Sequence, residues 1–178
     1  EVLDISMTAR HYAHVAPKLL EPRRATGMLP VLTKTTVLHH PKGVVGVIAP
    51  WNYPMTLAVS DAIPALLAGN AVVLKPDSQT PYCALAVAEL LYEAGVPRDV
   101  FAVVPGPGSV VGTAIVENSD YLMFTGSSQT GRLLAEQAGR RLIGFSAELG
   151  GKNPMIVTAG ANLRKVTDAA VRACYSNS

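Results

Sequence analysis

Short apolar runs alternate with segments of helical periodicity along most of this chain. Val44-Val45-Gly46-Val47-Ile48 is one continuous run and Ala71-Val72-Val73-Leu74 is another. Runs of that length, bounded by turn residues, predict strands covered on both faces, as in a parallel sheet. The spacing predicts strands over 44–48, 71–75, 100–104, 121–124 and 142–147, with helices over 55–68, 80–94, 108–117 and 129–139. Strand and helix in strict alternation with short links predict a doubly wound α/β domain built on a parallel sheet. Such sheets bind ligands beyond the carboxyl ends of their strands. The residues that follow each strand are therefore the candidates for chemistry.

The flanks are less regular. Residues 3–20 carry apolar positions at helical spacing and predict a helix. Pro17, Pro22 and Pro30 then interrupt the pattern, so 21–32 reads as an extended connection. Thr33 to His40 alternates and is β-branched, which predicts a strand, and Pro41-Lys42-Gly43 reads as a turn. Val166 to Tyr175 is again helical. The chain opens without methionine inside a predicted helix and stops just after another, so it is expected to be part of something longer.

Composition narrows the class. The chain has 178 residues, 49% of them hydrophobic, enough for a sizeable core. Net charge is +2 with no basic block, which gives no argument for nucleic acid. No run of 18 apolar residues and no signal peptide stand out, so no membrane is implied. Cys83 and Cys174 form no metal or redox spacing; that usage fits a reducing, cytoplasmic setting. His39-His40 lacks further ligands at useful spacing, and no metal is expected.

Each predicted strand is followed by residues with something to offer. After the first comes Pro50-Trp51-Asn52-Tyr53-Pro54, where Asn52 is an amide donor fixed between prolines, suited to stabilising an oxyanion. After the second comes Lys75-Pro76-Asp77-Ser78-Gln79-Thr80-Pro81; Lys75 can meet ribose hydroxyls or phosphate, and Thr80 with Pro81 reads as a cap and first helical turn. After the third, Pro105-Gly106-Pro107-Gly108-Ser-Val-Val-Gly112 approaches G-x-G-x-x-G but is one residue too long; its glycines either allow tight strand–helix packing or, at Gly108, let a flat ring approach. After the fourth, Phe124-Thr125-Gly126-Ser127 opens a helix and exposes N–H groups for a pyrophosphate. Arg132 and Leu133 stand where a P-loop needs Lys and Ser/Thr, which excludes an NTPase. After the fifth comes Glu148-Leu149-Gly150-Gly151-Lys152. Behind it lie Leu142, Ile143, Phe145 and Ala147, so Glu148 is expected to be held against apolar neighbours and raised towards the range of a general base.

Taken in order, Pro50-Trp-Asn-Tyr-Pro54, Lys75-Pro76, Phe124-Thr-Gly-Ser127 and Glu148-Leu-Gly-Gly-Lys152 resemble the aldehyde dehydrogenase superfamily, over roughly residues 30–178. Nearest in pattern are the NADP-linked succinate-semialdehyde dehydrogenases of actinobacterial type. The resemblance implies a Rossmann-like cofactor domain over 33–178, preceded by an N-terminal helix and connection over 1–32, with the catalytic domain absent. It implies that Asn52 is the oxyanion amide and Glu148 the base that activates water. Lys75 would meet the adenosine ribose, Ser127 the pyrophosphate and Gly108 the adenine, with Trp51 and Leu149 along the cofactor path. Relatives that prefer NAD often carry glutamate three residues after this lysine; Ser78 stands there instead. NADP is therefore expected over NAD, although the neighbouring Asp77 argues the other way.

The same resemblance marks departures. The family's nucleophile follows a pattern like Asn-x-Gly-Gln-x-Cys, and aligning it on Asn177 puts the cysteine four residues past Ser178. Cys174 and Cys83 read as structural, so these 178 residues alone are expected not to oxidise aldehydes. Several succinate-semialdehyde dehydrogenases place a substrate-binding arginine near the position of Ser60, which Asp61 follows here. The family's extra hairpin, resembling 33–48 in part, implies a homo-oligomer for a full-length protein. The alternatives are a non-catalytic dinucleotide-binding module, and a reductase of the superfamily that releases an acyl phosphate or coenzyme A ester; the latter needs no water-activating Glu148.

Overall fold

The computed structural model describes residues 1–29 and 31–176; Pro30, Asn177 and Ser178, which the sequence reading used, lie outside them. A long helix α1 (Val2–Leu20) precedes two short strands, β1 (Arg23–Ala25) and β2 (Thr35–Val37). The main unit then runs β3 (Val44–Ile48), α2 (Thr56–Val59), α3 (Ala62–Leu67), β4 (Ala71–Lys75), α4 (Pro81–Glu93), β5 (Phe101–Val103), a π-helical turn (Gly108–Gly112), α5 (Thr113–Asn118), β6 (Tyr121–Gly126), α6 (Ser128–Arg141) and β7 (Gly144–Leu149). Helix α7 (Leu163–Tyr175) ends the described chain, and none of its residues is buried.

Strands β3 to β7 form one sheet in the order β5-β4-β3-β6-β7, every pair parallel. The chain moves outward from β3 to β5, then returns to the other side of β3. The direction of winding reverses there, so a crevice opens between the carboxyl tips of β3 and β6. Parallel register builds two apolar faces. On one, Val45 lies beside Val72 and Val47 beside Leu74, packed on Ala58, Ala62, Ala84 and Ala88. On the other, Ile48 lies beside Phe124 and meets Ile115, Val116 and Leu134. Gly46 faces α5 so closely that a Cβ would sit 2.6 Å from the Ser119 hydroxyl and clash with Ile115. Its bare backbone lets helix and sheet meet.

Several expectations need correction. The helix expected over 55–68 is bent into α2 and α3, because Pro64 cannot donate to the Ser60 carbonyl and crowds it. The helix expected over 108–117 opens as a π-helical turn. The strand expected over 33–40 is only Thr35–Val37, and the connection expected over 21–32 contains β1. Those two strands pair with each other, antiparallel, with Arg24 opposite Thr36; β2 does not pair with β3 as a hairpin over 33–48 would require. Thr80 precedes α4 with Pro81 in the first turn, but its hydroxyl makes no capping bond and is buried without a partner among the described residues. Helix α1 docks on the main unit through Ile5, Ala9 and Tyr12, which meet Val59 and Ile63. Their spacing of four and three residues puts them on one helical face.

Candidate active site

The strand tips enclose two connected clefts. The larger, about 610 Å³, is walled by Ile48 to Trp51, Lys75, Asp77, Ser78, Gly108, Gly112, Gly126, Ser127 and the inner face of α6. The smaller, about 300 Å³, holds Asn52, Leu57, Glu148, Leu149 and Gly150. Pro50, Trp51, Thr125, Gly126 and Ser127 line both, so the two form one crevice across the point where the winding reverses. All ten candidate residues therefore border one continuous space. A wider opening of about 810 Å³, between the end of α1 and His39, contains none of them.

In the larger cleft Lys75 is the buried charge, only 5% exposed, at the last position of β4. Its ammonium donates to the Pro76 carbonyl at 2.9 Å, one of the three donors a lysine has. Burial lowers its pKa, opposed by the nearby charge of Asp77. Asp77 itself accepts from the Gln79 N–H at 2.9 Å. The Ser78 hydroxyl donates to the Gly106 carbonyl at 3.1 Å, tying the loops after β4 and β5 together. A Cβ on Gly108 would meet nothing within 4 Å, so this wall is open. Ser127 caps α6, its hydroxyl accepting from the Thr130 N–H at 3.2 Å. That leaves other first-turn N–H groups of a 14-residue helix pointing at the cleft.

The smaller cleft is built on a tight turn. Tyr53 adopts φ 71°, a left-handed conformation that costs a bulky residue about 1–3 kcal/mol. This turn throws Asn52 to the crevice mouth. Glu148 pairs in register with Thr125 on β6, which sets it beside the Gly126-Ser127 turn. It is exposed, not packed against apolar neighbours as expected. The reason is its place near the end of β7, the edge strand, where a neighbour exists on one side only.

Two residues near the crevice escaped the sequence reading, and a third, Asp61, was noted there only as the neighbour of Ser60. Asp61, one helical turn after Leu57, has its carboxyl raised by burial and then by the charge of Glu148. Gln137 lines the larger cleft one turn after Leu133, and its side-chain oxygen is buried without a partner among the described residues. Glu1 accepts from the Met55 and Thr56 N–H groups at 2.8 and 2.9 Å, a contact no local pattern announces. Neither Cys83 on α4 nor Cys174 on α7 lines either cleft.

A buried ammonium, an open glycine wall and a capped helix start around one elongated crevice fit a dinucleotide phosphate in donor chemistry. The model of the aldehyde dehydrogenase family matches this chain over residues 1–178. The chain belongs to the aldehyde dehydrogenase family. It is 75% identical, over 99% of its length, to a Mycolicibacterium smegmatis protein named "putative succinate-semialdehyde dehydrogenase, NADP(+)", of which it covers 34%. Among solved structures, an aldehyde dehydrogenase of Bacillus cereus in complex with NAD+ superposes with a TM-score of 0.88 at 35% identity, over 97% of this chain and 35% of that one. An aldehyde dehydrogenase of Mycobacterium tuberculosis, also complexed with NAD+, gives 0.76 at 42% identity over 83% of this chain and 30% of that one. The chain thus spans about a third of the length of the relatives it matches.

Proposed function

We propose that this aldehyde dehydrogenase chain is the cofactor-binding part of an enzyme that oxidises an aldehyde to its carboxylic acid with NADP, or less readily NAD. The substrate in this reading is a semialdehyde such as succinate semialdehyde. The observation that carries it is the single crevice running from Lys75 and Ser78 past Ser127 to Asn52 and Glu148. The name of the M. smegmatis relative supports both the substrate and the phosphorylated cofactor.

The chain's own residues have distinct tasks in this reading. Lys75 and Ser78 hold the ribose and its 2′-phosphate, the N-terminus of α6 with Ser127 meets the pyrophosphate, and the open wall at Gly108 receives the adenine. When bound, the dinucleotide supplies the hydride acceptor. Asn52 donates its amide to the oxygen that gains charge as the aldehyde carbon is attacked. Glu148 takes a proton from the water that releases the acid product. Its exposure lets that water reach it. The thiol nucleophile of the family is assigned to neither Cys83 nor Cys174.

Calorimetric titration of the intact enzyme with NADP and NAD tests the reading. NADP is expected to bind at least about tenfold tighter, a difference of about 1.4 kcal/mol. Lys75→Met is expected to weaken both cofactors without lowering the unfolding midpoint, since it removes a buried charge with one carbonyl partner. Unchanged cofactor affinity in that variant, or no binding by the parent, would remove the cofactor assignment.

A further inference from the structure

Glu1 and the turn that carries Asn52 are far apart in sequence yet joined by two hydrogen bonds. One carboxylate oxygen of Glu1 accepts from the backbone N–H of Met55 at 2.8 Å and of Thr56 at 2.9 Å. These groups open helix α2 directly after Pro54, where helical N–H groups lack partners of their own. The neighbouring Leu57 N–H already bonds back to the Tyr53 carbonyl at 3.0 Å. On the strand side, the Ala49 N–H bonds to the Lys75 carbonyl at 3.0 Å. The turn Pro50 to Pro54 is thus fastened at both ends, and Glu1 is the side-chain part of that fastening.

The fastening has something to hold. Tyr53 sits at φ 71°, a conformation that relaxes unless its surroundings enforce it. Asn52 is the next residue back and is exposed, without a hydrogen bond of its own among the described residues to fix it. Helix α1 is itself anchored by Ile5, Ala9 and Tyr12 against Val59 and Ile63, so the Glu1 carboxylate is delivered from a packed element.

We infer that Glu1 is a positioning residue for the Asn52 amide: by capping α2 it holds the strained Asn52-Tyr53 turn in the orientation that meets the developing oxyanion. The inference rests on the proposed role of Asn52. Glu1 lines neither cleft, so its removal is expected to act on turnover far more than on dinucleotide binding.

The test is a double-mutant cycle in the intact enzyme. Glu1→Ala is expected to lower kcat about tenfold or more while the dissociation constant for NADP stays within about twofold. Glu1→Gln keeps an oxygen that can accept both N–H groups and is expected to recover most of that loss. In an Asn52→Ala background, Glu1→Ala is expected to have no further effect, because the amide it positions is gone. Amide hydrogen exchange supplies a second readout, independent of activity: Met55 and Thr56 are expected to exchange faster in Glu1→Ala, with sheet amides unchanged. An equal loss in both backgrounds, full activity in Glu1→Ala, or unchanged exchange at Met55 and Thr56 would overturn the inference. Full activity of Asn52→Ala alone would instead remove the oxyanion role on which it stands.

Discussion

The carboxyl of Asp61 lies within reach of the charge of Glu148, although one sits at the bend between α2 and α3 and the other near the end of β7. Burial first, and that charge second, hold Asp61 above the ordinary aspartate value of 3.8. An acid raised in the folded state keeps its proton longer there than in the unfolded chain. Folding stability therefore falls as pH rises past 3.8 and stays lower once the folded group has ionised. Asp61→Asn removes this penalty. The variant is expected to be more stable than the parent at pH 7, with the gain shrinking as pH falls towards 4. Urea unfolding at several pH values measures it, and a gain that does not depend on pH would separate Asp61 from the effect.

Helix α6 ends on Leu142 at φ 56°, with its N–H bonded to the Ala138 and Gly139 carbonyls and its side chain 93% exposed. The left-handed geometry costs a residue with a Cβ roughly 1–2 kcal/mol. Glycine avoids that cost and gives back part of the gain through unfolded-chain entropy. Leu142→Gly is expected to stabilise the chain by about 0.5–1 kcal/mol, since the lost side chain buries almost nothing. Chemical denaturation with unchanged slope is the measurement.

What the sequence displayed and what it concealed divide along a physical line. Val44–Ile48 and Ala71–Lys75 were legible because a strand covered on both faces is apolar at every position. The placing of Asn52, Lys75, Ser78, Gly108 and Ser127 along one crevice followed from the rule for strand tips in such a sheet. The bend at Ser60-Asp61 was written in Pro64, a local signal left unused. The pairing of Arg23–Ala25 with Thr35–Val37 was not legible, since three-residue strands carry almost no periodicity. The exposure of Glu148 was hidden for another reason: burial depends on what covers an edge strand, and its apolar neighbours in sequence do not. The Glu1 bond to Met55 and the influence of the Glu148 charge on Asp61 join distant segments, and only the fold brings them together.

Cofactor choice is expected to turn on position 78. Ser78 borders the larger cleft, which the buried Lys75 also lines, and donates to the Gly106 carbonyl. A carboxylate there would repel a 2′-phosphate and accept from a free ribose diol. Ser78→Glu is expected to weaken NADP about tenfold or more, about 1.4 kcal/mol, while NAD binding holds or improves. Paired titrations decide it. If NADP and NAD shift together, the loop has simply moved and position 78 does not read the phosphate.

Glu148 separates two halves of the proposed reaction. It lies beside Thr125 in register and opens to solvent in the same cleft as Asn52. A base that only deprotonates the hydrolytic water is needed after hydride transfer, not before it. In the intact enzyme, Glu148→Gln removes the base with almost no change of shape. The first turnover is expected to reduce about one equivalent of cofactor per site at near the parent rate. Steady-state turnover is expected to fall about 10²–10⁴-fold, the usual worth of a positioned general base. Rapid-mixing measurements of cofactor reduction resolve the two phases. A burst that slows together with the steady state would give Glu148 a part in the earlier chemical step. An unchanged steady state would leave the water to some other group, and would bring back the superfamily's reductases, which release an acyl phosphate or coenzyme A ester without any such base.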